Sequence, residues 1–341
     1  IKDFPETSIY QDVANNLIIP GYTALLSGLE EFETSAHNFI ANADVSSLQD
    51  LQDKWYQANL LWQAVAPFEF GPAETVFLRS TLNNFPANID QINANIENGN
   101  YNLDTPDSFD KGFAALDYLL FGLASDEAAI VEKYTTDALA VNYQTYLTNV
   151  ITQMKSTVST AYSGWTTENY TQSFIENTGT AAGSSLSLII NNLNQHYEII
   201  KREKIGVPAG VLTLGFPNPD KVEAPFSGKS AELALAALEA SFNFYTAGGT
   251  GLDDLLNFVG AQKDGKALDQ VIRDQYTAAR LALVDLIGTG KTLAEIVAEE
   301  GNQSAVEAYN EITKQVVNLK TDMPSVLCVA ITYVDNPSDS D

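Results

Sequence analysis

Apolar residues recur at three- and four-residue spacing along most of the chain, the pattern of helices that bury one face. Over 8–41 the spacing is kept by Val13, Leu17, Ile18, Leu25, Leu26, Leu29, Phe32 and Phe39, and Pro20-Gly21 predicts a kink. Asp44 to Ser47 supplies a loop and an N-cap for a second helix through Leu48, Leu51, Trp55, Leu61, Trp62 and Val65, which stops at Pro67. Pro67-Phe68-Glu69-Phe70-Gly71-Pro72 reads as a non-helical turn packed by its rings. A short helix is predicted over 84–97, with Pro86 in its first turn. Further helices are predicted over 126–163, 170–204, 230–245, 252–259, 267–287 and 304–322, the last ended by Pro324. From Gly206 to Pro225, glycines and prolines break every period. This is the longest irregular stretch, and loops of that length are usually functional or ordered by a partner surface.

No period-two alternation demands a sheet, so the fold class is all-α. Long helix, loop, short helices and long helix occur twice, with a boundary near Gly164-Trp165-Thr166. Two helical-bundle halves are expected, 1–165 and 166–341, a pseudo-duplication with a cleft between them.

One carboxylate interrupts the most apolar stretch, Gly112-Phe113-Ala114-Ala115-Leu116-Asp117-Tyr118-Leu119-Leu120-Phe121-Gly122. A buried acid needs a partner, so Asp117 sits at a helix edge or is answered by another group. Arginine is scarce, at positions 79, 202, 273 and 280, and Arg202 is the first partner to consider. The aromatic rings of Trp62, Phe70 and Tyr118 either line a pocket or fill the core.

Charge narrows the function. The formal net charge is −26, which excludes nucleic acid and anionic membrane surfaces, since both need basic patches. Solubility in a salty or extracellular setting explains it more simply. The single cysteine, Cys328, lies in an apolar run and is expected to be a buried, inert thiol. Only His37 and His196 occur, neither in an H-E-x-x-H pattern. Glu33 and His37 form a helix-surface pair, and His196 is expected to be partly exposed. Gly288-Thr289-Gly290-Lys291-Thr292 resembles the end of a phosphate loop, but the first glycine is missing and no strand precedes it. It reads as a turn between helices.

Several ordered segments resemble the imelysin-like family. Lys54-Trp55 to Trp62 and Phe68-Glu69-Phe70-Gly71-Pro72 resemble its tryptophan helix and F-x-F-G-P turn. Lys201-Arg202-Glu203-Lys204-Ile205-Gly206-Val207-Pro208 resembles its K-R-E-K-(I/L)-G-x-P run, and Pro225-Phe226-Ser227-Gly228-Lys229-Ser230 its P-(Y/F)-S-x-x-S segment. Cys328 to Asp335 is similar to its G-(V/I)-x-(I/V)-T-(Y/F)-x-D ending. The central stretch is similar to the family's G-x-H-x-x-E motif, with Ala114 in the His position and Asp117 in the Glu position. Asn59 and Ala66 stand where an Arg and a Glu are common.

The resemblance implies an all-α fold and a site between two halves, drawn from Asp117, Ala114, Tyr118, Trp62, Phe70, Arg202, Ser227 and Ser230. It implies either a metallopeptidase or an exported protein linked to iron uptake. With the imidazole gone, the expectation is a non-catalytic, exported binding protein, periplasmic or attached to the outer-membrane surface, accessory to iron or other nutrient uptake. The alternatives are an imelysin-class metallopeptidase and a structural surface lipoprotein. No catalytic residue, metal ligand or cofactor is assigned, and iron or another divalent metal is the one cofactor class the family suggests. Expected partners are a small ligand or an envelope protein, with membrane contact only through an N-terminal lipid anchor ahead of Ile1.

Overall fold

A computed structural model describes residues 4–333. The acidic tail 335–341 and the last residues of the 328–335 segment lie outside the described residues. Among those described, strand pairing is confined to a two-residue antiparallel ladder, Gln262–Lys263 against Lys266–Ala267. The rest is helix and connection, as the apolar periodicity predicts.

The core is framed by α1 (Ile19–Ala41), α2 (Val45–Val65), α3 (Gly112–Asp117), α4 (Ala140–Thr166), α5 (Ser185–Ile199), α6 (Ser230–Thr246), α7 (Leu268–Gly288) and α8 (Ser304–Lys314). α1 packs on α2 and α4, α7 packs on α6 and α8, and α6 lies against α2. That last contact makes the interior continuous, because one cluster of buried apolar residues runs from Ile9 to Val329.

The kink expected at Pro20-Gly21 is a π-helical turn, Val13–Ile18, just before Pro20 enters the first turn of α1. Proline has no N–H for the regular ladder, so the widened turn absorbs the mismatch. α2 opens with the expected cap: Asp44 accepts from the Ser47 amide at 2.7 Å, and Ser47 Oγ accepts from the Asp44 amide at 3.0 Å. The F-x-F-G-P turn is packed by rings, Phe68 against Phe244 and Phe70 against Trp165, Phe174 and Phe244.

Several predicted boundaries move. The helix expected over 84–97 is Ile89–Asn98, with Asn88 as N-cap, and Pro86 lies outside it after a cis peptide bond. The helix expected over 126–163 divides into Glu127–Thr135 and α4, where the Asp137 side chain accepts from the Leu139 amide at 2.9 Å. The helix expected over 170–204 is interrupted between Tyr170–Glu176 and α5, since Gly179 and Gly183 adopt positive φ and Ser184 caps a fresh start. Pro324 does not end the last helix. It stands in the first turn of Met323–Leu327, after a π-helical turn at Asn318–Asp322. Cys328 is exposed rather than buried: it ends that helix with φ +55°, which turns its side chain away from the core that takes Leu327 and Val329.

Candidate functional site

α3 is fixed from both ends. Gly112 has φ +72°, and a Cβ there would come within 2.3 Å of the Leu82 carbonyl oxygen, so only glycine brings the helix this close to 81–82. Trp55 Nε1 donates to the Phe113 carbonyl at 3.1 Å, and Gln52 Nε2 to the Leu120 carbonyl at 2.8 Å. Tyr134 Oη donates to the Leu119 carbonyl at 2.9 Å. Beyond Asp117 the chain widens into a π-helical turn, Tyr118–Gly122.

Asp117 is fully buried at the end of α3. Its two oxygens each take one backbone amide from a segment distant in the chain: Oδ2 accepts from Phe226 at 2.9 Å and Oδ1 from Ser227 at 3.0 Å. Burial raises its pKa to about 6; the Ser227 and Phe226 hydrogen bonds pull it down, and the Glu223 charge pushes it up. Tyr118 is half-buried beside it, its hydroxyl donating to Asn93 Oδ1 at 3.1 Å and its ring 5.4 Å from that of Phe226.

A second cluster lies one turn away along the 223–230 segment. Lys204 and Glu223 form an ion pair with side-chain exposures of 3% and 1%. Lys204 Nζ also donates to Gln63 Oε1 at 3.0 Å. Glu223 Oε1 accepts from Asn83 Nδ2 at 2.7 Å and Gln63 Nε2 at 3.1 Å, and Gln63 Nε2 reaches Asn59 Oδ1 at 2.9 Å. Burial lowers the Lys204 pKa, and Glu223 opposes that shift. Ser230 Oγ donates to the Glu223 carbonyl and holds the turn. Nearby, the Arg79 amide donates to both oxygens of Glu69 at 3.1 and 3.2 Å, and Arg79 Nη2 to the Ala66 carbonyl at 3.2 Å. His196 is buried, not partly exposed. One ring nitrogen, Nε2, lies 3.1 Å from the Ala237 carbonyl and must carry the proton there, while burial first and the Arg79 charge second draw its pKa down to about 3.

The predicted residues are thus brought together unevenly. Asp117 and Ser227 are bonded directly, with Tyr118 at their edge, and Ser230 belongs to the cluster around Glu223. Ala114 is buried and offers only a methyl group. Trp62 and Phe70 are fully buried core residues. Arg202 is half-buried on the π-helical turn Ile200–Gly206 and is not among the partners of Asp117. Besides Lys111, just before α3, the region buries Lys204. Its place on one face with Tyr197 and Ile200, at three- and four-residue spacing, was the signal in the sequence. Gln63, Asn83 and Glu223 carried no such signal, because their burial depends on contacts between residues far apart in the chain.

These side chains do not fit a metal. Each Asp117 oxygen already accepts a backbone amide, Glu223 accepts from Lys204, Asn83 and Gln63, and His196 turns its Nε2–H to a carbonyl. Among the described residues, no three His, Cys, Asp or Glu side chains gather as a ligand set. Asn59 Nδ2, Asn83 Oδ1 and Tyr22 Oη are buried without a protein partner among the described residues.

The imelysin family model matches residues 18–319. No curated protein matches the chain. Among solved structures, one described as an iron-regulated protein A precursor from Parabacteroides distasonis ATCC 8503 superposes with a TM-score of 0.77 at 18% identity, over 95% of each chain. An imelysin-like protein from Psychrobacter arcticum 273-4 superposes with a TM-score of 0.70 at 19% identity, over 96% of this chain and 97% of that one. At such identities the likeness shows the all-α fold, and the family match extends over most of the sequence. The chain belongs to the imelysin family.

Proposed function

We propose that this protein is an exported, non-catalytic binding protein that serves iron or other nutrient uptake at the cell envelope, in the periplasm or attached to the outer-membrane surface. One observation carries the non-catalytic reading. At the two positions of the G-x-H-x-x-E motif, residue 114 has no donor atom and each Asp117 oxygen already accepts a backbone amide, from Phe226 and Ser227. A metallopeptidase needs about three protein ligands and an open position for water. Support for export and for iron comes from the words "iron-regulated" and "precursor" in the description of the Parabacteroides structure. No described helix is long and apolar enough to cross a membrane.

The test has two arms. Purified protein is assayed for bound metal and for thermal stabilisation by iron, zinc and copper, then for cleavage of a mixed peptide library with and without chelator. The expected result is sub-stoichiometric metal, no large stabilisation and no cleavage. Chelator-sensitive cleavage would overturn the non-catalytic reading, and stoichiometric metal lost in Asp117→Asn would overturn the reading of Asp117 as a group that holds no metal. For uptake, a deletion strain is expected to grow poorly under iron limitation and to recover with the gene restored. Unimpaired growth across limiting nutrients would sink that part.

A further inference from the structure

The segment between Lys204 and Glu223 inverts the usual arrangement of a soluble protein. Its ends are buried charges, paired with each other. Its middle carries apolar side chains in water: Leu214 is 94% exposed, Phe216 71%, Leu212 38% and Val211 37%. Scattered exposed leucines need no explanation, but four large apolar residues within six positions do.

The loop is also rigidly built. Gly215 N–H donates to the Gly210 carbonyl at 2.9 Å, Val211 N–H to the Gly206 carbonyl at 3.1 Å, and Asn218 N–H to the Pro208 carbonyl at 2.8 Å. The Asn218 side-chain amide reaches the Phe216 carbonyl at 2.7 Å, Thr213 Oγ1 at 2.8 Å and the Val207 carbonyl at 3.2 Å. Gly210, at φ +80°, lets the backbone of Phe216 approach where a Cβ would sit 2.6 Å from its carbonyl carbon. Leu214 itself is held at φ +56°, an unfavourable conformation for a leucine. A loop that spends backbone strain and a buried ion pair to hold leucine and phenylalanine in solvent is a preformed anchor, because its ordering entropy is already lost before contact.

Charge says what it fits. No Lys or Arg occurs between Lys204 and Lys221, and the chain carries a net charge of −26. Beside the loop lies a recess of about 770 Å³, walled by Ala209, Val211 and Pro217 on one side and by Val297 and Val306 on the other, with Glu299 and Glu300 at its rim. We infer that the 207–219 loop is a docking knob for a partner protein that offers an apolar cleft rimmed by Lys and Arg, one segment of which enters the recess. An anionic bilayer is repelled by the net charge, which the single exposed Lys221 just after the loop does not offset. A second copy would bring two strongly acidic surfaces together.

The test places a photo-crosslinking residue at position 212 of the full chain, with position 281 on α7 as an equally apolar exposed control, in the cells that make the protein. The expected result is a discrete protein adduct from 212 and not from 281. Its yield should fall about tenfold in Leu214→Ser and in Phe216→Ser, as for interface anchors. It should also drop severalfold between low and high salt. The crosslinked partner peptide should carry Lys or Arg beside apolar residues. Both variants should keep the parent's circular dichroism and melting temperature, which separates loss of docking from loss of fold. Five outcomes would overturn the inference: no adduct, a salt-insensitive adduct, an acidic partner peptide, an adduct to a second copy, or equal binding to protein-free phosphatidylcholine vesicles.

Discussion

The buried centre and the exposed 207–219 loop use opposite chemistry, although one segment links them. In the centre, Lys204, Glu223 and Asp117 are charged groups removed from water, each with several hydrogen-bond partners. In the loop, Leu214 and Phe216 are apolar groups left in water on a backbone held by Asn218. Neither arrangement is what stability alone would select. Desolvated ion pairs often cost more than a hydrophobic replacement, and exposed leucines contribute nothing to the core. The difference teaches where each region's constraint lies. The centre is constrained by partners inside the chain, so removing one group leaves another uncompensated. In the loop, Leu214 and Phe216 leave most of their surface in water, so those two side chains can be changed without unfolding the chain.

The strongest break of this comparison is Lys204→Met. It leaves Glu223 buried without its cation and should cost about 3–5 kcal/mol in urea unfolding. A cost below about 1 kcal/mol would show that the pair does not clamp the segment. Combining it with Glu223→Met should cost less than the sum of the two single variants, because the two charges compensate each other.

Next is Asp117→Ala, which strands the Phe226 and Ser227 amides and should cost about 2–3 kcal/mol. The pH dependence sharpens the point. The folded pKa of about 6 lies above the ordinary aspartate value, so between roughly pH 4 and 6 the folded chain holds a proton that the unfolded chain has lost. The stability of the parent relative to Asp117→Asn should therefore fall as pH rises through that window and level off above it. A flat difference from pH 4.5 to 7.5 would mean that the carboxylate is not effectively desolvated.

Smaller effects are expected from the loop. Asn218→Ala removes three hydrogen bonds that hold the turn and should cost about 1–2 kcal/mol, with faster amide hydrogen exchange over 210–218 as the readout. Leu214→Ser should change stability by no more than about 0.5 kcal/mol. Leu214→Gly should be neutral or stabilising by up to about 1 kcal/mol, since glycine takes the left-handed conformation without strain. A clear loss in either Leu214 variant would place that side chain in the packing of the molecule and erase the contrast.

Much of the frame was legible in the chain's pattern. The helices at 19–41, 45–65, 230–246 and 268–288 follow from apolar spacing and local caps such as Asp44 with Ser47. The turn at Gly288-Thr289-Gly290 was likewise readable, with Thr292 capping the helix that follows. Boundaries set by single residues were less so. Pro86 and Pro324 could each begin or end a helix, and the choice fell to what packs around them. His196 was read as partly exposed because its polar neighbours suggested a surface, whereas the contact of α5 with α6 buries it.

The site divides in the same way. That Asp117 needs an answering group follows from one acid in an apolar stretch. That the answer is a pair of backbone amides near residue 226, and not an arginine, depends on two segments meeting more than a hundred residues apart. The sequence by itself determined the helical frame and the family, because periodicity, caps and residue identity are local properties. Only the tertiary structure decided that Lys204 pairs with Glu223 and that Leu214 and Phe216 stand in water. Burial and pairing are set by which distant surfaces touch, and no local pattern encodes that.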